Sequence, residues 1–380
     1  MKRQCSVCQA EFFPESLLTL ENMPKDAQGF FEDADESANV GVTLQVVQCA
    51  CCGLVQLNAT AVPYFRDVIR ANAYSPAMAE FRLKQLHAWL TAINGFQGKK
   101  ILEIGSGRGE YLELFRQLGV HAFGVEHAAS SVAVATAAGH TVEQGYLGDA
   151  GTTLGNGPFD AFVSFNFMEH WPDPGAVLAN LHAQLMPGAV GLIEVPNFDM
   201  ILKAQLFSEF IPDHLFYFTA ETLRFTLERF GYEVLTVDSI WSDYILSARV
   251  KKREALNLDA FHMSKQRLVS ELRSYAMSHA SGGVAVWGAG HQALAMLSLA
   301  HLQDKVAFVV DSAPFKQKKY TPASNIYIDS PGALETGRVD TVIIMGAGYS
   351  DEILKTLRQY YPLIKHVAVL RDSHLEVLDA

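Results

Sequence analysis

The sequence predicts an α/β protein that carries a small metal-binding module at its N-terminus, followed by two Rossmann-like domains. Three features of the chain lead to this prediction. Two Cys-x-x-Cys pairs lie within the first 52 residues. An apolar strand runs into a glycine-rich turn and a helix start at 101–110, and the same pattern returns at 284–294. A glycine-rich turn between a strand and a helix N-terminus is typical of α/β domains that bind nucleotides.

Length and charge limit the classes of protein that fit. The chain has 380 residues, which predicts two or three domains, and a formal net charge of -11. Nucleic-acid binders need clustered Lys and Arg, so this balance argues against a nucleic-acid partner. The sequence has no apolar run of the roughly 20 residues that a membrane span requires. No apolar signal core follows Met1, and we therefore expect a cytoplasmic protein with no membrane partner.

All five cysteines lie near the N-terminus. Cys5 and Cys8 form one pair, and Cys49 and Cys52 form the second, with Cys51 as the fifth thiol. Four thiolates from two such turns suit tetrahedral Zn²⁺, and a full shell leaves no place for a catalytic water. Two disulfides are the alternative, which a reducing cytosol disfavours. The sequence therefore predicts a structural zinc site.

The order of elements divides the chain. We expect a zinc-binding module at 1–70, built around a strand at 43–47, and a second domain at 71–250. That domain begins with a helical connector at 71–96, where apolar residues recur near helical spacing. A third domain follows at 251–380, entered through a charged, helix-like segment. No internal repeat joins the two Rossmann-like parts.

The central domain carries a nucleotide-binding pattern. Ile101–Ile104 is an apolar strand, and Gly105 and Gly107 follow it in the turn. The dinucleotide fingerprint expects a third glycine where this chain has Glu110. A second strand ends at Glu126, about twenty residues on, where a carboxylate can accept both hydroxyls of a ribose.

The runs ILEIGSGRG, GVEHA, FNFMEHWPDP and LMPGAVGLIEVP resemble class I S-adenosylmethionine-dependent methyltransferases. The resemblance implies that the glycine turn holds the methionine part of S-adenosylmethionine and that the acid after the second strand holds the ribose. The implied cofactor-binding residues are Glu103, Gly105, Ser106, Gly107, Glu126, Asp149 and Asn166, with Glu103 near the ammonium group and Asp149 near the adenine. A dehydrogenase-type Rossmann domain is the alternative, which the missing third glycine and the FNFMEH segment disfavour.

The segment 207–219 places an acid-histidine pair, Asp213-His214, among aromatic residues. A histidine with apolar walls can act as a general base near neutral pH. A histidine that braces an aromatic core is the structural alternative, and for a lone histidine the sequence leaves both open.

The whole chain resembles the C-methyltransferases that act on nucleotide-linked keto-deoxysugars. The paired cysteines, the central domain, the DHLFYFT segment and the C-terminal run FVVDSAPFKQKKYTP carry this resemblance. It implies that His214 removes the proton alpha to the sugar ketone and that Asp213 orients or tunes this base. Tyr217 is expected to line the catalytic pocket, and His170 is expected to contact the substrate in the same cleft.

Three departures from that family affect the expected substrate. Ile211 stands where a tyrosine is frequent, 241–245 replaces a His-Gly-Gly-Ser-type segment, and His291-Gln292 replaces a Lys-Gly pair. An O- or N-methyltransferase of another polar metabolite, with His214 or His170 as base, is therefore an alternative. A non-catalytic binding module is the third interpretation, against which the intact glycine turn and Glu126 count.

The C-terminal domain repeats the strand-turn-helix pattern, with Gly288, Gly290 and His291 in the turn and Asp311 after the next strand. The pattern alone is compatible with a scaffold or with a redox cofactor such as NAD. The resemblance implies a domain that closes over the substrate and holds its nucleotide part through Gly288, Gly290 and His291. The sequence does not indicate the oligomeric state.

Overall fold

A computed structural model describes residues 4–25, 40–62, 75–93 and 97–378. The chain folds as two compact units, Met1–Glu254 and Ala255–Ala380. The predicted N-terminal module and the central domain thus belong to one unit. Residues 71–74 and 94–96 of the expected connector lie outside the described residues. Within the described residues, none of the helices is both long enough and apolar enough to span a bilayer.

The first unit begins with strands that form a small antiparallel sheet. Its strands are β1 (Leu18–Met23), β2 (Val42–Gln48), β3 (Val55–Leu57) and β9 (Phe216–Tyr217), in the order β1-β2-β3-β9. Strand β2 includes the predicted strand at 43–47. The fourth strand comes from the segment that follows His214, so the N-terminal sheet is completed by a distant part of the chain.

A seven-stranded sheet forms the centre of the first unit. Its strands are β4 (Ile101–Ile104), β5 (Ala122–Glu126), β6 (Thr141–Gln144), β7 (Phe159–Phe165), β8 (Leu185–Pro196), β10 (Tyr232–Ile240) and β11 (Ile245–Lys252), in the order β10-β11-β8-β7-β4-β5-β6. Strand β11 is antiparallel to its neighbours, and β6, β5, β4, β7 and β8 are parallel. The chain changes direction across the sheet beside β4, and in such sheets ligands bind at the carboxyl ends of the strands next to this point.

Helices cover both faces of this sheet, which explains why its central strands are continuous apolar runs. The helices of this unit are α1 (Pro76–Ala92), α2 (Glu110–Gln117), α3 (Ala129–Ala137), α4 (Pro174–Ala183), α5 (Phe198–Ala204) and α6 (Ala220–Arg229). Helix α5 packs against the small N-terminal sheet instead. Helix α1 starts at Ser75, whose side chain accepts a hydrogen bond from the Met78 amide, and Pro76 occupies the first helical position. The expected connector helix is therefore present over Pro76–Ala92.

The second unit has its own seven-stranded sheet. Its strands are β12 (Val284–Trp287), β13 (Phe308–Val310), β14 (Lys319–Tyr320), β15 (Tyr327–Asp329), β16 (Thr341–Ile344), β17 (His366–Leu370) and β18 (Leu375–Val377), in the order β14-β15-β13-β12-β16-β17-β18. Its helices are α7 (Asp259–Ser278), α8 (His291–Leu299) and α9 (Ser350–Tyr360). The predicted α/β class with two Rossmann-like sheets is confirmed.

Two expected elements differ from the structure. Residues 251 and 252 belong to β11, and the helix of the charged segment begins only at Asp259, because Lys251 and Lys252 pair with Glu233 and Tyr232 of β10. In the run Leu185–Pro196, Pro187 and Gly188 predict a turn before a strand, but the whole run forms one twelve-residue strand, with Gly188 at a φ of 71° near its start.

Candidate functional site

The glycine turn lies at the carboxyl end of the central strand β4. Gly105 and Gly107 have φ values of 72° and 55°, a region that side chains rarely adopt. A Cβ atom on Gly105 would come within 2.5 Å of Cδ1 of Phe167. Only a glycine therefore lets the turn pass this ring, which belongs to the segment after β7.

The carboxylate of Glu126 fixes this turn from the end of β5. Its Oε2 accepts a hydrogen bond of 3.0 Å from the Gly107 amide, and its Oε1 accepts one of 2.9 Å from the Ala128 amide. Glu126 is almost completely buried. The carboxylate thus stands at the strand end where a ribose is expected to bind, next to the turn that the methionine part would contact.

A narrow cleft opens beside this carboxylate. It is lined by Ile104, Gly105, Val125, Glu126, His127, Gly145, Tyr146, Leu147 and Phe167. The Asp149 side chain is exposed in the following turn and does not line the cleft. Tyr146 and Leu147, just before it, line the cleft, and the role of Asp149 near the adenine stays a prediction.

Polar atoms around the turn fit a polar ligand. The Ser106 hydroxyl and Oδ1 of Asn166 are buried and have no hydrogen-bond partner in the described part of the chain. Buried polar groups without a partner cost free energy, so a bound molecule that supplies donors and acceptors would stabilise both. Glu103, also buried, lies on the same strand as the turn. The residues present therefore fit the methionine and ribose parts of S-adenosylmethionine.

Two histidines meet beyond Phe167. The ring centroids of Phe167 and His170 are 6.3 Å apart, and those of His170 and His214 are 4.8 Å apart in an edge-to-face arrangement. His170 lies in the short 3-10 helix Met168–His170 that follows β7. The structure thus brings together the two histidines selected from the sequence, and the Phe167 ring lies between them and the cofactor cleft.

Burial controls the charges of these groups. It lowers the pKa of His214 to about 3, with a further contribution from the charge of His170. Burial likewise lowers the pKa of His170 to about 4 and raises the pKa of Glu169 to about 8. Both imidazoles are therefore neutral at pH 7, the form in which a ring nitrogen can accept a proton or bind a metal.

Backbone hydrogen bonds hold the His214 segment on two sides. The Leu215 amide donates to the Glu169 carbonyl at 2.8 Å, and the Leu57 amide donates to the Leu215 carbonyl at 3.0 Å. Leu57 belongs to β3 of the N-terminal sheet. The N-terminal module therefore helps to set the position of His214, a role that its own sequence does not indicate.

Asp213 and Tyr217, on either side of His214 in the sequence, make contacts other than those expected. The Asp213 carbonyl accepts a hydrogen bond of 2.7 Å from Nδ1 of His170. The Tyr217 hydroxyl accepts a hydrogen bond of 2.9 Å from the Ile211 amide, and its ring centroid is 6.4 Å from that of His214. Burial raises the pKa of Tyr217 well above its ordinary value. Both residues are thus placed to position the site, and their catalytic roles stay predictions.

The four predicted zinc ligands converge. Their sulfur atoms all lie within 4.8 Å of one another, with 3.7 Å between Cys5 and Cys52 and 3.3 Å between Cys8 and Cys49. Four sulfurs bound to one Zn²⁺ at about 2.3 Å lie about 3.8 Å apart, so the arrangement fits tetrahedral zinc. Cys51 is exposed and is not part of this group.

Gln56 is a member of this site that the sequence did not reveal. Its Nε2 donates a hydrogen bond of 3.1 Å to the Cys5 sulfur, although the residue lies in strand β3. The amides of Val7 and Cys8 also point to that sulfur, at 3.4 and 3.5 Å. Such donors stabilise a thiolate and orient it toward a metal.

The second unit contains a cleft of about 560 Å³ at the carboxyl edge of its sheet. Gly288, Gly290 and His291 line it, and their contact with a substrate stays a prediction. Asp311 lines it as well, and its carboxylate accepts hydrogen bonds from Lys316 at 2.9 Å and from the Ala289 amide at 2.8 Å. The volume is in the range of small-molecule sites.

A buried ion pair joins helix α1 to strand β8. Arg82 of α1 and Glu194 of β8 are both fully buried and form a salt bridge. The Arg82 guanidinium also packs against the rings of Phe165 and Tyr111, at 4.9 and 5.6 Å. Sequence reasoning missed this pair, because residues 112 positions apart give no local signal.

The segment 241–245, which stands in place of the His-Gly-Gly-Ser-type segment of the sugar C-methyltransferases, has an unusual backbone. Trp241, Ser242 and Asp243 have φ values of 50°, 56° and 64°. Glycine is favoured in this left-handed region. The turn after β10 therefore keeps a backbone conformation that suits glycine, although this chain has no glycine in it.

Comparisons with known proteins agree with this geometry. Residues 78–237 match the family model of a methyltransferase domain, and residues 252–364 match that of a C-methyltransferase C-terminal domain. The chain is 23% identical to C-methyltransferase NovU of Streptomyces niveus, over 94% of this chain and 92% of that protein. The first matched region contains strands β4 to β8 of the first seven-stranded sheet, and the second contains strands β12 to β16 of the second.

Other similarities cover the central region only. A ubiquinone biosynthesis O-methyltransferase of Caulobacter sp. is 36% identical over 29% of this chain and 44% of that protein, so the match spans less than half of the relative. Among solved structures, an S-adenosylmethionine-dependent methyltransferase of Clostridium acetobutylicum is 12% identical, with a TM-score of 0.38 over 50% of this chain and 97% of that one. The chain therefore carries a class I S-adenosylmethionine-dependent methyltransferase domain at 78–237 and the C-terminal domain of the C-methyltransferases at 252–364, and it is similar to NovU over most of its length.

Proposed function

We propose that the enzyme methylates the carbon alpha to the ketone of a nucleotide-linked keto-deoxysugar and that His214 is the base. The observation that carries this proposal is the pair His170–His214, 4.8 Å between ring centroids, next to the Phe167 ring that lines the cofactor cleft. A C-methyltransferase relative that matches 94% of the chain also supports it.

The chemistry requires a base because a carbon alpha to a ketone is not nucleophilic until it is deprotonated. S-adenosylmethionine supplies an electrophilic methyl group on a positively charged sulfur. A neutral ring nitrogen of His214 takes the alpha proton, and the enolate carbon then forms a bond to the methyl carbon as the bond from that carbon to sulfur breaks. The proton on His214 afterwards returns to water. Buried aromatic residues, Phe198, Phe210 and Tyr217, pack beside this segment and limit access of water.

Exchange of the alpha proton tests this proposal directly. The purified enzyme is incubated in deuterated buffer with a panel of nucleotide-linked 4-keto-6-deoxysugars, with and without S-adenosylmethionine, and substrate mass is measured. We expect deuterium uptake in one sugar and a gained methyl when the cofactor is present. His214→Asn should retain S-adenosylmethionine binding and lose at least about a hundredfold in exchange rate, since general base catalysis typically contributes a factor of 10²–10⁴.

His121→Asn is the matched control, because His121 is exposed at the start of β5 and packs on Phe123, away from the carboxyl edge of the sheet. It should exchange like the wild type. Unchanged exchange in His214→Asn would remove this residue from the mechanism. A product methylated on oxygen or nitrogen, without alpha exchange, would replace C-methylation by the alternative acceptor chemistry.

We infer that the four converging cysteines hold a structural Zn²⁺. With four thiolates no coordination position is left for water, so the ion would stabilise the N-terminal module without taking part in the reaction. Cys52→Ser should lower bound zinc well below one ion per chain, measured by elemental analysis, and should lower the melting temperature. Cys51→Ser, in the same turn but outside the group, should keep one ion; a zinc loss equal to that of Cys52→Ser would contradict the assigned ligand set.

We further propose that the cleft of the second unit binds the nucleotide part of the substrate. Its glycine turn at Gly288 and Gly290 precedes the N-terminus of α8, where backbone amides favour anionic groups. Gly290→Asp should weaken binding of a nucleoside diphosphate at least about tenfold in calorimetry, because it adds a negative charge beside the expected phosphates. A Cβ at Gly290 meets no atom within 4 Å, so the variant should fold normally. Unchanged affinity would indicate that this domain is a scaffold.

A further inference from the structure

The cleft of the second unit lies where its sheet changes winding direction. Strand β12 lies between β13, the next strand in the chain, and β16. The glycine turns that follow β12 and β16 both line the cleft, and a Cβ atom on Gly288 would come within 2.5 Å of the Met345 carbonyl oxygen. In open α/β sheets, nucleotides bind in the crevice at such a point, at the carboxyl ends of the strands.

Asp311 follows β13 at this edge of the sheet and lines the cleft. From the described residues its carboxylate accepts three hydrogen bonds. Oδ2 accepts from the Ala289 amide at 2.8 Å and from Nζ of Lys316 at 2.9 Å, and Oδ1 accepts from the Ala313 amide at 2.9 Å. The side chain of Asp311 is 12% exposed. A carboxylate has about four acceptor sites, so Oδ1 can accept one more hydrogen bond from a molecule in the cleft.

The first unit holds the carboxylate at its expected ribose position in the same way. Glu126 ends the second strand of the parallel sheet and accepts one hydrogen bond from the glycine turn, at Gly107, and one from the amide two residues further on, at Ala128. Asp311 repeats both bonds in the second unit. The repeated arrangement therefore indicates a second position for a ribose.

Lys316 offsets the charge of this carboxylate. Two acidic side chains, Asp311 and Glu352, line the cleft together with Lys316. Helix α8 begins directly after Gly290, and its backbone amides favour anionic groups at this end. Phosphates at the helix N-terminus and a ribose at Asp311 can therefore occupy the cleft together.

We propose that Asp311 binds the 2′-hydroxyl of the nucleotide's ribose, so that the sugar substrate is linked to a ribonucleoside diphosphate and not to a 2′-deoxyribonucleoside diphosphate. The inference rests on the proposed nucleotide site of the second unit and names the class of nucleotide that this site takes. A carboxylate after the second strand is a common partner of a ribose 2′-hydroxyl in sheets of this kind. A 2′-deoxyribose has no donor at that carbon, so it leaves the acceptor on Oδ1 unused.

Nucleotide pairs that differ only in the 2′-hydroxyl test the proposal. Binding of UDP, CDP, ADP and GDP to the zinc-loaded full chain is compared with binding of their 2′-deoxy forms by calorimetry. S-adenosylhomocysteine, the demethylated form of the methyl donor, is present in excess so that the cofactor cleft is occupied. We expect the ribonucleotide that binds best to bind at least about tenfold more tightly than its 2′-deoxy form, because hydrogen bonds to charged groups are among the strong ones.

Asp311→Asn should reduce this preference to less than about twofold, because the amide has lost the charge that strengthens the bond to the hydroxyl. Asp329→Asn is the matched control. Asp329 ends β15, the neighbour of β13, and its Oδ1 accepts a hydrogen bond from the Ser330 amide, but it does not line the cleft. This variant should keep the preference of the wild type.

The comparison of nucleotide pairs on the wild type does not depend on the folding of any variant. Equal affinity for both members of every pair would overturn the proposal and leave the nucleotide site in place. A preference that survives in a folded Asp311→Asn would overturn the role of Asp311. Absence of binding by all eight nucleotides would remove the nucleotide site itself, and with it the proposed function of the cleft.

Discussion

Gly105→Ala probes the passage of the glycine turn past Phe167. The φ of 72° costs a residue with a Cβ about 1–2 kcal/mol. The added methyl would also lie 2.5 Å from the Phe167 ring, which is 5% exposed and has little room to move. Overpacking of this kind typically costs about 1–3 kcal/mol, which gives a total loss of about 2–5 kcal/mol in the free energy of unfolding.

Gly119→Ala separates the two contributions. Gly119 has a φ of 74°, almost that of Gly105, but a Cβ there would meet no atom within 4 Å. Its loss should therefore be limited to the backbone contribution of about 1–2 kcal/mol. Both free energies are measured by urea denaturation, monitored by circular dichroism.

Cofactor binding gives the second measurement. Phe167 lines the cleft next to Glu126, so a displaced ring should narrow it. We expect Gly105→Ala to weaken S-adenosylmethionine binding at least about tenfold in calorimetry, equivalent to about 1.4 kcal/mol, and Gly119→Ala to leave it unchanged. Gly105→Ala combined with Phe167→Leu should recover part of the lost stability. If Gly105→Ala is no less stable than Gly119→Ala and binds the cofactor normally, the argument from the Phe167 contact fails.

Two further changes address the loop before His214 and the second unit. Tyr217→Phe leaves the Ile211 amide without its hydrogen-bond partner, so the free energy of unfolding should fall by about 1–3 kcal/mol. The value of kcat should decrease while its pH profile stays unchanged. A shifted pH profile of kcat would indicate direct proton transfer by Tyr217. Burial raises the pKa of Asp311, but hydrogen bonds from Lys316 and two backbone amides outweigh it and hold the pKa below its usual range. Lys316→Met should therefore raise the pKa of Asp311 in a carboxyl NMR titration. A native pKa below the unfolded value stabilises the fold at higher pH and loses this contribution as the carboxyl is protonated, so the variant should lose less stability than the wild type as the pH falls through the ordinary range of Asp. An unchanged pKa would refute the assigned role of Lys316.

Local sequence patterns predicted the central strands of the first unit. The strand predicted at Ile101–Ile104 has the observed bounds, and the second strand ends at Glu126 as predicted. The reason is that strands buried on both faces are short apolar runs that end in turn residues, a signal contained within the run itself. The cysteine pairs were equally informative, because two sulfurs in one tight turn converge whatever the rest of the chain does.

Contacts between segments that are far apart in the sequence could not be predicted from local patterns. Strand β9 is only two residues long, and its pairing with β3 joins Phe216 to Gln56. The buried pair Arg82–Glu194 and the bond from His170 to the Asp213 carbonyl also join residues far apart in the sequence. Neither partner of such a contact carries a local signal.

The sequence by itself therefore determined the fold class and the glycine turn, and it selected Glu126, His214 and the four cysteines as candidates, because each depends on residue type and spacing within one segment. Only the tertiary structure decided that Asp149 is exposed, that Tyr217 braces its own loop, and that Glu169 and His170 lie beside His214. The physical reason is that the packing of the chain, and not the pattern within any segment, sets which side chains share one buried space.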